Sequence, residues 1–187
     1  VTAPGRPLTN APVATATVDA VCIGAGRTVA KTAVPLATMG PFGFDGDRHA
    51  GETFVPRYGH NRGQRVFNER QWSAVSAEEV AELEGRLGTT IPVGALGENL
   101  RLSGVAGLSD LPSGTRLTFP SGAVLFVSGQ NAPCARAAAS LAALSGVAAI
   151  RRLFTKAATG RRGLVGWVET PGLVRAGDEV RVTFEGP

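Results

Sequence analysis

The sequence predicts a mainly β fold with inserted helices (α+β), a barrel formed as a single domain over residues 13–187. Three observations predict it. Short apolar, strand-like runs recur between turns containing Gly and Pro, and the three segments with helical spacing sit among strands instead of alternating with them. The 25 glycines suit sharply coiled strands. A chain of 187 residues is long enough for one well-packed domain and too short for two ordinary ones.

Residues 1–12, polar and proline-rich, read as a loose leader without the basic and apolar regions of a signal peptide. Residues 13–23 read as the first strand, with Val18, Ala20 and Cys22 on one face and Val21 and Ile23 on the other. After the Gly24-Ala-Gly26 turn a second strand is expected over residues 28–36. Lys31 is its one ionisable side chain and belongs either at a solvated edge or against a ligand. Periodicity is lost over residues 52–65, a surface loop of the length at which loops become lids. Residues 66–75 resume a strand in which Trp72 packs. Ser76-Ala-Glu-Glu79 is a capping box; it opens a helix whose Val80, Leu83 and Leu87 share a buried face, and Gly88 closes it. Glu78, Glu79, Glu82, Glu84 and Arg86 are expected on its wet side. Residues 115–119 and 123–127 flank a Pro120-Ser-Gly122 turn as a hairpin. Residues 135–144 predict a second helix, and Val147, Ile150 and Phe154 mark the buried face of a third, from which Arg151 and Arg152 project. Strands over residues 163–169 and 178–184 finish the chain.

Composition excludes several classes of function. With 43% hydrophobic and 18% charged residues, the chain has no apolar run of the roughly 18 or more residues that would span a bilayer, so no membrane role is expected. Cys22 and Cys134 lie far apart and make no disulfide framework, which points to a reducing compartment and a cytoplasmic protein. Of the 19 basic residues all but Lys31 and Lys156 are arginine, whose planar guanidinium suits phosphate or carboxylate. Aromatics are 6%, no basic run is interleaved with them, and no nucleic-acid-binding motif is present. A small anionic ligand therefore fits the +4 charge better than a nucleic acid does.

Three stretches carry chemistry. Residues 128–136, Ser-Gly-Gln-Asn-Ala-Pro-Cys-Ala-Arg, place Asn131, Cys134 and Arg136 between a strand and a helix start, where free N–H groups and the helix dipole favour a thiolate. No Asp or Glu occurs over residues 111–168, whereas Arg116, Arg136, Arg151, Arg152, Lys156, Arg161 and Arg162 do. Cys134 is thus a candidate nucleophile or metal ligand, the alternative being a small buried hydrophobe. Residues 40–51 hold Asp45, Asp47, Arg48 and His49. If extended, they direct both aspartates and His49 to one side and Arg48 to the other, so that Asp47 can orient the imidazole and raise its pKa, or the set can bind metal; the alternative is a turn held by the Asp side chains, with Arg48 in a structural ion pair. Residues 94–100 add Gly97, which permits a close approach, together with Glu98 and Asn99.

Gly46-Asp-Arg-His-Ala-Gly51, Gly97-Glu-Asn-Leu100, Leu111-Pro-Ser-Gly-Thr-Arg-Leu117, Pro133-Cys134, Arg162-Gly-Leu-Val-Gly-Trp167 and Arg175-Ala-Gly-Asp178 occur in that order. The set resembles the MOSC domain family, named for the C-terminal domain of molybdenum cofactor sulfurase, over residues 13–184. The resemblance implies a β-barrel with the cysteine, here Cys134, at a pocket, and the loops of Asp47 to His49 and of Glu98 to Leu100 near one another. It implies members that carry sulfur on the cysteine as a persulfide, or that hold a molybdenum-pterin cofactor through it and reduce N-hydroxylated or N-oxide substrates. The sequence departs from the larger reductases in lacking a separate N-terminal domain and a four-cysteine iron–sulfur module, and two cysteines cannot bind such a cluster. A reductase here would need an outside electron donor.

Three functions are therefore expected to compete. The first is sulfur transfer by the Cys134 thiolate, with Arg136 lowering its pKa and His49 and Asp47 moving protons; it requires no cofactor. In the second, Cys134 ligates molybdenum, and the cofactor is held by Arg48, Lys31, Glu98, Asn99, Asn131, Arg136 and Arg162. The third is a non-catalytic cofactor-binding module. The expected partners are a small anionic or sulfur-containing ligand and a protein that donates sulfur or electrons.

Overall fold

A computed structural model describes residues 14–57 and 59–184. The expected leader lies outside them. The strands are β1 (Ala14–Ile23), β2 (Thr32–Val34), β3 (Leu36–Gly40), β4 (Gly43–Phe44), β5 (Thr53–Phe54), β6 (Val66–Phe67), β7 (Trp72–Ser76), β8 (Leu100–Ser103), β9 (Thr115–Thr118), β10 (Val124–Gln130), β11 (Leu164–Thr170), β12 (Gly172–Arg175) and β13 (Glu179–Phe184). Three helices interrupt them: α1 (Ala77–Leu87), α2 (Ala135–Ser145) and α3 (Ile150–Ala158). The main sheet runs β13-β9-β10-β11-β7-β8-β1-β2, and pairing of β13 with β1 closes seven of these strands into a barrel. The expected β-barrel with inserted helices is what the chain forms.

Strand β7 pairs with β8 in parallel, at Ala74↔Leu100 and Ser76↔Leu102. A parallel pair cannot be joined by a tight turn, and α1 supplies the crossover. Ser76 caps α1, its Oγ accepting from Glu79 N–H, and Gly88 ends the helix at φ 65°. Apolar residues of the barrel strands fill one core, which includes Trp72, Leu100, Leu125 and Val182. A second core lies among the helices, where Leu83, Leu141, Ile150 and Phe154 meet Val29, Leu96 and Val75.

Several elements differ from the sequence expectation. Pro35 divides the second strand into β2 and β3, and residues 27–31 form a loop tied to residues 94–97. Gly97 permits this close approach, since a Cβ there would lie 3.0 Å from Val29 O. The strand expected over residues 66–75 breaks at the polar run Asn68-Glu-Arg-Gln71. Asn68 is buried and donates through Nδ2 to His49 O and Gly51 O, which the bend makes possible. Residues 52–65 are not wholly irregular, because Thr53 and Phe54 pair with Phe67 and Val66. Val147 precedes α3 and is exposed; Ala158 completes that helix's buried face instead. Strands β8 and β12 were not anticipated, although Leu100 and Leu102 alternate clearly with Arg101 and Ser103.

Glu79 is not on the wet side of α1. It is buried, and its carboxylate accepts from Ser109 N–H at 2.9 Å and Ser109 Oγ at 2.6 Å. Burial raises its pKa, against the pull of those two donors. A raised folded pKa means that stability falls as pH rises from the unfolded to the folded value, and the whole cost is present above it. Glu79→Gln removes that cost and retains an acceptor, so denaturant unfolding at pH 7 is expected to show a change within about 1 kcal/mol. Glu79→Leu strands both Ser109 donors and is expected to cost about 1–3 kcal/mol.

Candidate functional site

Loops that follow β1, β4 and β10 and loops that precede β7, β8 and β11 converge on one cavity of about 160 Å³. Its floor is barrel wall: Trp72, Ser73 and Val165, the last two being register partners. Val29 and Leu96 of the helical core form another side, so the cavity lies on the seam between the two cores. Around it stand Arg48, His49, Arg70, Asn131, Cys134, Arg136 and Arg162.

Cys134 is exposed and is the N-cap residue of α2. Pro133 and the extended backbone at Cys134, φ −140°, end the loop, and the alanine-rich run that follows takes up the helix. The first turn of α2 holds no acid. Partial burial opposes ionisation of the thiol, but the N–H of Ala137, the guanidinium of Arg162, the N–H of Arg136 and its guanidinium outweigh it, and the pKa is lowered. Arg162 Nη1 lies 3.9 Å from Cys134 Sγ. Cys22 differs in every respect: it is buried in β1, and burial pushes its thiol up to about 12. Alkylation near neutral pH is therefore expected at Cys134 alone. Arg136→Ala is expected to move the midpoint of the alkylation rate-versus-pH curve upward; an unchanged curve would remove Arg136 from this role.

Four arginines line the cavity, and no carboxylate does. Among the described residues none of the four is hydrogen-bonded to a carboxylate, and apart from the contact of Arg162 with Cys134 Sγ their acceptors are neutral. Arg70 Nη2 donates to Asn131 Oδ1 at 2.8 Å, and Arg162 to Asn131 Oδ1, Ala132 O and Leu96 O. Arg48 Nη1 donates to Arg27 O and Thr28 O, and Arg136 Nη2 to Arg27 O. Burial lowers the pKa of Arg48, Arg70 and Arg162, yet guanidinium stays charged in proteins. Buried Nε atoms of Arg48 and Arg162 have no protein acceptor. The cavity thus holds an excess of positive charge, with the Cys134 thiol and no carboxylate among its described lining, an arrangement that favours anions. Gly163 helps place Arg162: at φ 76°, a Cβ there would lie 1.8 Å from Ala74 O, so only glycine lets β11 start here.

Asp47 lies behind the cavity and is buried. Its Oδ2 accepts from Gly24 N–H at 3.1 Å and Asn99 Nδ2 at 3.0 Å and forms an ion pair with Lys31 Nζ at 2.8 Å. Its Oδ1 accepts from His49 N–H at 2.9 Å and faces His49 Nδ1 at 3.2 Å. Burial works against this charge, but His49 and Lys31 hold the carboxyl well below the usual range. An ionised carboxylate only accepts, so Nδ1 carries the imidazole proton and Nε2 presents a lone pair. The hydrogen bond from Asp47 favours a protonated ring, yet burial and the charges of Lys31 and Arg48 leave the His49 pKa lowered, contrary to the expectation. His49 is a neutral base at pH 7, with its side chain 41% exposed.

The structure gathers Cys134, His49, Arg48, Asn131, Arg136 and Arg162 at the cavity, as the sequence suggested. Lys31, Glu98 and Asn99 are near it but do not line it. Lys31 is no edge lysine: its side chain is 1% exposed, it pairs with Asp47, its backbone N–H donates to Gly94 O, and it does not line the cavity. Burial lowers its pKa, opposed by Asp47. Glu98 is spent on Gly94 N–H, Leu96 N–H and Arg101, and Asn99 on Ser73 N–H, Cys22 O and Asp47. Asp45 is exposed and shares no face with Asp47, because residues 45–50 turn instead of extending. Of the acid-free segment, Arg116 pairs with Glu169 and Arg161 with Glu82, while Arg151, Arg152 and Lys156 are solvent-exposed. Arg70 was missed; the four-residue polar run around it, which breaks strand alternation, was the signal.

Comparison with known proteins agrees with the fold. Residues 45–181 match the MOSC domain family. A Bacillus subtilis protein, YuaD, whose name includes the words metal-sulfur cluster biosynthesis, is 37% identical over 147 residues, which are 75% of this chain and 76% of YuaD. The crystal structure of YuaD superposes with a TM-score of 0.86 at 32% identity, covering 92% of this chain and 97% of that one. YiiM from Geobacillus stearothermophilus (TM-score 0.66, 19% identity, 91% and 76% covered) and from Escherichia coli (0.62, 19%, 94% and 72%) share the fold. No helix among the described residues is long and apolar enough to cross a membrane.

Proposed function

The chain belongs to the MOSC domain family, and on that premise we propose that it is a sulfur-transfer enzyme in which the Cys134 thiolate carries sulfane sulfur. One observation supports this reading above the others: an exposed thiol of lowered pKa stands at a cavity ringed by four arginines and no carboxylate. An anionic donor such as thiosulfate is drawn in by that charge. The thiolate attacks its outer sulfur, the S–S bond breaks, and sulfite leaves, so that the enzyme holds Cys–S–S⁻ with charge and atoms conserved. A nucleophilic acceptor then takes the terminal sulfur and restores the thiolate; with cyanide the product is thiocyanate. No electron source is needed. Arg162 and the first N–H groups of α2 hold the persulfide anion, and His49 Nε2 takes the proton of a thiol acceptor as it attacks. In a cell the donor or acceptor would be a sulfur-carrying partner, in a reducing compartment that keeps Cys134 free. Mass spectrometry after thiosulfate treatment is expected to find one added sulfur on the Cys134 peptide, removed by cyanide. No added sulfur with any sulfane donor would overturn the proposal.

A second reading rests on the same uncompensated guanidinium groups, which fit the phosphate of a molybdenum-pterin cofactor. Cys134 would ligate the metal and Arg48, Arg70, Arg136 and Arg162 would hold the cofactor, which would supply oxygen-atom chemistry. Reduction of N-hydroxylated substrates would draw on an outside electron donor. Metal analysis of protein from a cofactor-producing host separates the two. Stoichiometric molybdenum, lost in Cys134→Ala, would replace the sulfur-carrier reading with this one.

A further inference from the structure

Beside the cavity, and larger than it, runs an open groove of about 550 Å³. One wall is the loop of Arg27, Thr28, Val29 and Ala30, the other the side of α2 that carries Ala139, Ser140, Ala143 and Leu144. Small side chains on this side of the helix leave the space unfilled, and Leu144 at its far end is 54% exposed. The groove and the cavity adjoin: Val29 and Arg136 line both. The partition between them is held by the cavity's own arginines, because Arg48 Nη1 and Arg136 Nη2 both donate to Arg27 O. A ligand whose anionic end sits among the arginines therefore meets an apolar trench that leads away along α2, a helix of 11 residues and so about 16 Å long.

We infer that the groove is a specificity subsite: the ligand of the Cys134 cavity carries an apolar arm as well as its anionic head, and the arm lies between α2 and the loop of residues 27–30. The inference deepens the sulfur-transfer reading, which it rests on only for the chemistry of the head. The preferred donors are then organic sulfur anions, such as alkyl thiosulfonates, over inorganic thiosulfate. The arm contributes by burial of CH₂ groups, and the arginines set which end faces Cys134.

The test uses the full chain and unreactive probes, the linear alkanesulfonates from methane- to octanesulfonate. Binding is measured by calorimetry and by protection of Cys134 from iodoacetamide. In the wild type the dissociation constant is expected to fall about two- to fourfold per added carbon, the range for partial to full burial of a methylene. Ala143→Trp and Ser140→Trp, which fill the groove at two points without touching the cavity, are expected to flatten the series and leave methanesulfonate binding unchanged. Affinity independent of chain length in the wild type, or a series that keeps its slope in both variants, would overturn the inference. The two proposals fail separately. If the slope is present and lost in the variants while no donor loads sulfur on Cys134, the subsite stands and the sulfur reading falls. If thiosulfate loads sulfur but the series is flat, the reverse holds.

Discussion

Cys134→Ala is expected to accept no sulfur from thiosulfate and to lose thiocyanate formation by a factor on the order of 10³ or more, the scale for removing a nucleophile. Cys22 cannot substitute, because it is buried in β1 and its thiol is pushed up to about 12. The loss must come without unfolding. Cys134 is exposed and its side chain makes no cap hydrogen bond, so the midpoint of denaturant unfolding is expected to stay close to that of the wild type. Turnover retained in this variant would show that the cavity acts as a binding module without covalent chemistry. Arg162→Met should weaken the thiosulfate dependence as well as slow sulfur loading, since the guanidinium faces both the anion cavity and the sulfur.

Asp47→Ala is expected to cost about 3–5 kcal/mol of folding stability, because it leaves the Lys31 ammonium buried without its partner. It also removes the acceptor of Gly24 N–H and His49 N–H, leaves Asn99 Nδ2 only its bond to Cys22 O, and frees the His49 ring to change tautomer. A Lys31→Met/Asp47→Leu double variant is expected to recover the share lost to the unpaired ammonium but not the share lost with the acceptor of Gly24 N–H and His49 N–H. It should not recover the pH profile of sulfur transfer to a thiol acceptor, because nothing then orients His49. The acid limb offers a second check. Asp47 has its pKa depressed in the folded state, so its contribution is present above the ordinary carboxylate value of about 4 and is lost as pH falls through the folded value. Acid unfolding of the double variant should be correspondingly shallower. An Asp47→Ala protein as stable as the wild type would disprove the buried network.

Much of the fold was legible in the sequence, because alternation, caps and turns act locally. Ser76 and Gly88 bounded α1 correctly, and the turn at Pro120-Ser-Gly122 joined β9 to β10. Errors arose where a distant contact overrode the local pattern. Asn68 is taken out of a strand by two carbonyls from the 49–51 turn, and Glu79 is taken out of solvent by Ser109. Strand β12 pairs with β3 across more than a hundred residues of chain, a partner no local window can reveal. The candidate site divides in the same way. Cys134 was marked by its position between strand and helix and Arg162 by the acid-free segment, but the sequence left Lys31 between a solvated edge and a ligand contact, and it passed over Arg70.

By itself the sequence determined the β-barrel class, the three helices, the family and the cysteine at a helix start, since these follow from periodicity, capping and motif order along the chain. Only the tertiary structure decided which charges meet. It brought together four arginines, three from separate loops and Arg136 from the first turn of α2, with no carboxylate among the described lining residues, and it put Lys31 inside against Asp47. The reason is physical: electrostatic environment depends on distance and burial through space, and barrel closure places residues 48, 70, 136 and 162 around one cavity although the chain keeps them far apart.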